Sequence, residues 1–184
     1  MTRGAGIGTA GGGKSTMARA LAAAHGLPSI AVDTLQWRPG WTPVPRDEFT
    51  RLHDDVLATD AWVSDGVGPW AAVEKRFDQA DTIILVDHPL WVHVWWAAER
   101  QIACVTAERP DGPDGCPMLP MTDVLFKMIG DIHHEARPRL LDMIERRRAD
   151  TTVVPSTSPD DLNRFVAEQC RPVAGAAAPH DRGA

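Results

Sequence analysis

The chain has 184 residues and a mass of 20.0 kDa, enough for one domain with a core of its own. It is 43% hydrophobic and 24% charged, and no apolar run approaches the roughly 18–20 residues of a membrane span. A net charge of −6 argues against broad binding to a nucleic-acid backbone, though a local basic pocket for one phosphorylated molecule stays open.

The N-terminus lacks the apolar stretch of a signal peptide, so a cytoplasmic location is expected. Cys104, Cys116 and Cys170 are odd in number and widely spaced, which speaks against a disulfide framework or a structural zinc site.

In chain order, strands and helices alternate, the pattern of a parallel sheet covered by helices on both faces. Residues 3–7 are expected as the first strand, a poor one because of Gly4, Ala5 and Gly6. A start displaced from the natural one, with apolar residues missing upstream, would account for this. Residues 14–25 carry a helical stripe of Met17, Ala20, Leu21 and Ala24, ended by Gly26. Short apolar runs at 29–32, 62–64, 82–86 and 151–154 have the length of buried strands. Helical patterns cover 46–57, 70–77, 90–105, 122–134, 137–148 and 159–169, the last with Ser158 as its N-cap.

Two segments interrupt the alternation. Residues 38–45 hold three prolines and read as a loop, and residues 108–120 hold four prolines and read as an exposed loop between helices. The stretch 172–184 is rich in Ala, Gly and Pro and reads as a disordered tail after a domain spanning 1–171.

Residues 8–15, GTAGGGKS, fit G-x-x-x-x-G-K-[ST] and are followed by Thr16. Glycines at Gly8, Gly11, Gly12 and Gly13 let backbone N–H groups turn toward phosphate oxygens, and the following helix aims its positive end at the same place. Lys14 is expected to bridge the β- and γ-phosphates, Ser15 to ligate Mg²⁺ and Thr16 to reach the α-phosphate. The ligand pair implied is ATP, or another nucleoside triphosphate, with Mg²⁺.

Three aspartates follow strands, where open parallel sheets bind ligands. Asp87 ends an apolar strand in the Walker-B manner and is expected to hold the Mg²⁺ hydration shell. Asp33 and Asp65 are candidates for binding or deprotonating an acceptor hydroxyl, although an Asp after a strand is also a common turn former. Trp91, Trp95 and Trp96, with Val94, Ala98 and Ile102, lie at helical spacing and are expected on a buried helix face. Trp37 and Trp41 sit in a Pro- and Gly-rich loop, as either core or an aromatic wall for an acceptor. His133, His134 and Glu135 diverge around a helix and read as a solvated helix end rather than metal ligands. Arg146, Arg147 and Arg148 read as a solvated basic terminus, whereas Arg137 and Arg139 follow the second loop and could bring charge to phosphates.

Together these stretches resemble a family of adenylate-kinase-related P-loop proteins often labelled DNA topology modulation protein, close to shikimate and nucleoside-monophosphate kinases in fold. The resemblance rests on GTAGGGKST at 8–16, VDTLQWRPGWTPVPRDEF at 32–49, WVSDG at 62–66, RFDQADTIILVDHP at 76–89, GCP at 115–117 and RPRLL at 137–141. It implies a P-loop NTPase three-layer sandwich: a five-stranded parallel sheet of order 2-3-1-4-5, helices on both faces, and a lid at about residues 100–121. It further implies that Asp33, Trp37, Trp41 and Arg46 face the acceptor pocket, with Arg76 nearby, and that lid arginines close over the phosphates. The chain departs from the family at Val67-Gly68, at Leu90 and at Met118, and its lid offers only Arg100 and Arg109 before Gly-Cys-Pro.

The expected function is transfer of the γ-phosphoryl group to a small acceptor, a nucleotide or hydroxylated metabolite, with Lys14, Asp33, Arg100 and Arg137 as the catalytic set. The alternative is a nucleotide-binding regulatory or partner-binding module with little transfer. No N-K-x-D segment supports a GTPase. The expected partners are the triphosphate and the acceptor, with no membrane; a homodimer stays open.

Overall fold

A computed structural model describes residues 1–106 and 112–171. The tail expected at 172–184 lies outside the described residues, as do Glu108 and Arg109 of the loop expected at 108–120. In chain order the elements are β1 (Arg3–Gly8), α1 (Lys14–His25), β2 (Ser29–Ala31), α2 (Val32–Gln36), β3 (Trp37–Arg38) and β4 (Thr42–Pro43). There follow α3 (Arg46–Leu57), β5 (Trp62–Asp65), α4 (Trp70–Gln79), β6 (Thr82–Val86) and α5 (Leu90–Ala103), then α6 (Thr122–Asp131), α7 (Arg137–Glu145), β7 (Thr152–Ser156) and α8 (Pro159–Gln169).

The main sheet runs β2-β5-β1-β6-β7 and every neighbouring pair is parallel. Counting only its five strands along the chain, the order is 2-3-1-4-5, as expected from the family resemblance. β3 and β4 form a separate two-stranded hairpin.

The glycine-rich β1 is the centre of the sheet, pairing with β5 on one side and β6 on the other. Its small residues suit that position. A Cβ on Gly6 would lie 2.8 Å from Cε of Met17, so the bare backbone is what lets α1 lie flat on the strand.

Alternation along β6 divides the core. Ile83 and Leu85 join Ala5 and Ile7 under Leu57, Val73, Phe77, Leu140, Met143 and Ile144. Ile84 and Val86 face the other way, against Met17, Leu21 and Leu162. The layers are therefore α3, α4 and α7 on one face, the sheet, and α1 with α8 on the other. Each fully buried Ile or Leu contributes roughly 2 kcal/mol relative to exposure, which makes these two clusters the main source of stability. Ser158 caps α8 and shares a capping box with Asp161.

Three local expectations differ. Residues 32–36 form a short helix, so the strand expected at 29–32 ends at Ala31 and Asp33 lies in a first helical turn. Residues 38–45 are organised as the hairpin around a turn at Pro39–Trp41. The helices expected at 122–134 and 137–148 run into one another through a π-helical stretch, Ile132–Ala136. Pro138 has no N–H for the carbonyl of His134, and the widened stretch is where the ladder accommodates that loss. His133, His134 and Glu135 therefore lie within a continuous helical run, not at a helix end.

The aromatic expectation for α5 is also corrected. Trp91 and Trp95 are 71% and 61% exposed. The buried face of α5 is Val92, His93, Ala97 and Gln101. Those smaller residues face inward where the glycine loop passes close to them, Trp91 and Trp95 are left on the outer side, and Trp96 is half-buried with its ring 5.8 Å from that of His88.

Candidate phosphate-binding site

The loop between β1 and α1 brings residues 8–15 to the carboxyl end of the central strand. A Cβ on Gly8 would lie 2.1 Å from the carbonyl oxygen of Val86. One on Gly11 would lie 2.4 Å from the His93 carbonyl oxygen, and one on Gly12 would lie 2.7 Å from both His93 Cε1 and Val86 Cγ1. Side chains are excluded at all three positions, so the loop is a tight backbone cradle wedged between β6 and α5. No side chain caps the start of α1, and its first turn holds no acidic residue. Its leading amides and positive dipole end suit an anion.

Lys14 is 8% exposed and its Nζ donates to the Thr9 carbonyl at 2.7 Å. The ammonium is thus folded back along the loop it would neutralise. Ser15 donates from Oγ to Oδ2 of Asp65 at 2.6 Å, which joins the first turn of α1 to the end of β5. A hydroxyl and a buried carboxylate in contact at the mouth of a glycine cradle are a suitable donor pair for a hard divalent cation. The residues therefore fit a nucleoside triphosphate with Mg²⁺.

The carboxylate expected beside Ser15 was that of Asp87, and the one found there is that of Asp65. Asp87 is held instead by Arg137, whose Nε donates to Oδ1 at 2.6 Å and Nη2 to Oδ2 at 2.7 Å. This bidentate pair raises the Arg137 pKa above its ordinary value, chiefly through the hydrogen bonds to Asp87. β5 and β6 both flank β1, but α1 lies over β5, whereas the sequence shows only that each Asp follows a strand. Which strand lies beside the loop on the Ser15 side is a matter of topology.

Behind Asp65 lies Arg76, 1% exposed. Its Nη1 donates to the Gly66 carbonyl at 2.7 Å and its Nη2 to the Val67 carbonyl. Burial lowers its pKa to about 10, against the opposing pull of Asp65 and Asp33. Arg76 is thus built into the wall behind the acidic residues, its guanidinium engaged by backbone carbonyls. Asp33 is half-buried and Arg46 is exposed at the first residue of α3.

Trp37 and Trp41 pack edge to face with centroids 5.8 Å apart. Trp41 also packs against the cluster of Ala97, Met118, Leu125 and Ile129, which includes Ala10 of the glycine loop. Its Nε1 donates to the Pro117 carbonyl at 2.9 Å, and the Gly40 N–H donates to the Gly115 carbonyl at 2.8 Å. The tryptophan hairpin is therefore fastened to the Gly-Cys-Pro turn beside the phosphate loop. Arg100 is half-buried in the last turn of α5. Arg139 lies over the Trp70 ring at 4.2 Å and Arg147 pairs with Asp78, so neither joins the site.

Two residues that the sequence did not single out flank the loop. His93 shares a hydrogen bond of 3.1 Å between Nδ1 and the Ala10 carbonyl, and its pKa is lowered to about 4, first by burial and then by Lys14. His88, 1% exposed, stands 5.5 Å from it, centroid to centroid, with its own pKa lowered mainly by burial. Both are neutral near pH 7, so His93 serves as the Nδ1–H donor to the loop carbonyl. Only their positions next to an apolar strand end hinted at this.

No protein-family model matches the chain, and no curated protein does. Among solved structures it is similar to a shikimate kinase from Acinetobacter baumannii in complex with shikimate, at 14% identity over 91% of this chain and 90% of that one, with a TM-score of 0.52. It is also similar to a gluconokinase from Sinorhizobium meliloti 1021, at 16% identity over 92% of this chain and 89% of that one, with a TM-score of 0.49. The first likeness, with the parallel sheet and the glycine loop, gives the chain the P-loop kinase fold. Among the described residues no helix is long and apolar enough to cross a membrane.

Proposed function

We propose that this chain is a P-loop kinase, a phosphotransferase that moves the γ-phosphoryl group of ATP to a small-molecule acceptor. The observation that carries the reading is the contact of Ser15 with Asp65 at the mouth of a side-chain-free glycine cradle that also holds Lys14. The cradle would bind the phosphates through backbone N–H groups, and Lys14 would exchange the Thr9 carbonyl for phosphate oxygens. Ser15 and Asp65 would hold Mg²⁺, which neutralises phosphate charge when bound.

Transfer through a loose transition state asks mainly for positioning and charge neutralisation. Asp33 is the residue assigned to the acceptor hydroxyl, where it would orient the group or take its proton. Trp37, Trp41 and Arg46 are assigned to the acceptor side, and Arg100 to charge stabilisation from the segment 100–121, the proposed lid of a domain spanning 1–171. Shikimate joins nucleotides in the panel of acceptors, because the neighbour with the higher TM-score is in complex with it.

A second reading, a nucleotide-binding module with little transfer, is favoured by the pairing of Arg137 with Asp87. A cation so engaged is a weaker source of charge for a transition state. Single-turnover incubation with labelled ATP, Mg²⁺ and a panel of nucleotides and hydroxylated metabolites separates the two. Label in an acceptor, lost in Lys14→Ala with the fold intact by circular dichroism, supports the kinase. Tight ATP binding without label in any acceptor leaves the module.

A further inference from the structure

The phosphate loop leans on one side chain of α5. His93 is fully buried on the inward face of that helix. Its backbone carbonyl oxygen closes off Gly11, where a Cβ would lie 2.4 Å away, and its ring edge closes off Gly12, where a Cβ would lie 2.7 Å from Cε1. Between these contacts Nδ1 meets the carbonyl oxygen of Ala10 at 3.1 Å. A carbonyl only accepts, so Nδ1 carries the ring proton and Nε2 is the bare nitrogen. Nε2 is buried without a hydrogen-bond partner among the described residues, so no acceptor there draws the proton to the other tautomer. Packing fixes the ring itself. His88, also buried, stands edge to face with it at 5.5 Å, and the tilted ring of Trp96 lies 5.8 Å from His88.

This bond decides the direction of a neighbouring amide. A trans peptide is planar, with its C=O and N–H on opposite sides, and none of the described peptide bonds is cis. With the Ala10 carbonyl drawn to α5, the Gly11 N–H points away from α5, toward the open side of the loop. Local sequence leaves that direction undecided. Gly11 sits at φ 74, and a glycine accepts the preceding peptide in either orientation at little cost, so an outside group has to select one. The peptide before it is held differently, its Thr9 carbonyl accepting from Lys14 Nζ at 2.7 Å.

We infer that His93 is a positioning residue: its Nδ1–H holds the Ala10–Gly11 peptide so that the Gly11 N–H faces a bound phosphate. The side chain touches no ligand and acts through the backbone it fixes. When Lys14 turns from Thr9 to the phosphates, the His93 bond stays, so one peptide of the loop keeps its direction with and without nucleotide. A polar ring in so dry a place costs desolvation that an apolar side chain would not, and its one hydrogen bond goes to the loop. The inference rests on the reading of residues 8–15 as a phosphate loop and on nothing about the acceptor.

Titration calorimetry of the full chain, with Mg²⁺ and either ATP or inorganic tripolyphosphate, tests this. His93→Leu fills the space without a donor and is expected to weaken both ligands about tenfold, the worth of one amide contact to a charged group. His93→Asn sets an N–H close to the position of Nδ1 and is expected to bind both within about threefold of wild type. Packing alone predicts the opposite order, because Asn leaves a cavity and Leu does not. Imidazole nitrogen NMR of the wild-type chain reads the Nδ1 proton directly, which keeps the inference open to test if a variant fails to fold by circular dichroism. Leu binding like wild type, Asn binding no better than Leu, a loss confined to ATP, or a wild-type ring protonated at Nε2 overturns the inference and leaves the phosphate loop standing. A wild-type chain that binds neither ATP nor tripolyphosphate overturns the phosphate-loop reading itself, and the role of His93 with it.

Discussion

Trp41 donates its indole N–H to the carbonyl of Pro117, joining the tryptophan hairpin to the Gly-Cys-Pro turn across 76 positions of sequence. Trp41 makes this bond from φ 59, a left-handed backbone that costs a bulky residue on the order of 1 kcal/mol. The surrounding contacts offset that strain: Cys116 donates to the Arg38 carbonyl from Sγ, and the Gly40 N–H bonds to Gly115. The hairpin and the turn behave as one clasp over the glycine loop.

Trp41→Phe keeps an aromatic ring but removes the donor and part of the indole's packing surface. It is expected to lower unfolding free energy by at least about 1 kcal/mol, the worth of one hydrogen bond with a carbonyl left unpaired. Urea denaturation checks this; a midpoint unchanged from wild type would show that neither the bond nor the lost contacts hold the clasp.

Gly12→Ala places a methyl group 2.7 Å from His93 and from Val86, both fixed by neighbours. Overpacking at a rigid site costs roughly 1–3 kcal/mol. The cradle would also widen, so ATP affinity measured by titration calorimetry should fall at least about tenfold. Retained affinity would mean that the phosphates do not sit against this face of the loop.

Asp65 and Asp87 are separable by their partners. Asp65→Asn weakens the proposed Mg²⁺ pair with Ser15 and should raise the Mg²⁺ concentration needed for half-maximal ATP binding about tenfold or more. Asp87→Asn strips Arg137 of its bidentate acceptor and should cost stability on the order of 1 kcal/mol, the pair being half-exposed, with the Mg²⁺ requirement little changed. The reverse pattern would return the metal role to Asp87.

His53 and His93 both have pKa values lowered from an ordinary 6.5 to about 4, in each case first by burial. Between those values the unfolded chain binds protons that the folded chain does not. Their contribution is therefore fully present above pH 6.5 and is lost as pH falls toward 4, on the order of 2 kcal/mol for each group. Stability measured between pH 7.5 and 4.5 should decline over that window, and His53→Gln should flatten the decline. A flat wild-type curve would show that neither ring is held neutral by burial.

Much of this molecule is legible in its amino-acid sequence. The glycine spacing marks the loop because only those positions tolerate the approach of Val86 and His93, and alternating apolar runs and amphipathic stretches locate the sheet and its helices. The strand order came with the family resemblance rather than from the runs themselves. A run such as residues 82–86 reads as a buried strand, since its hydrophobicity is a local property.

Other features were decided only by the tertiary structure. Three aspartates after three strands are equivalent in sequence, and α1 lying over β5 rather than β6 selects Asp65 for Ser15 while Asp87 goes to Arg137. The tryptophans of α5 have the period of a buried face, yet Trp91 and Trp95 are exposed because the face turned to the glycine loop is that of Val92, His93, Ala97 and Gln101. Arg76 follows the same logic, its charge absorbed by the carbonyls of Gly66 and Val67. Periodicity states that a face is apolar, while the packing of other segments determines whether that face is covered. The sequence alone thus determined a phosphate-binding loop in a parallel α/β sheet. The fold determined which carboxylate meets its serine and which side chains of α5 stay exposed, because both depend on segments distant in sequence.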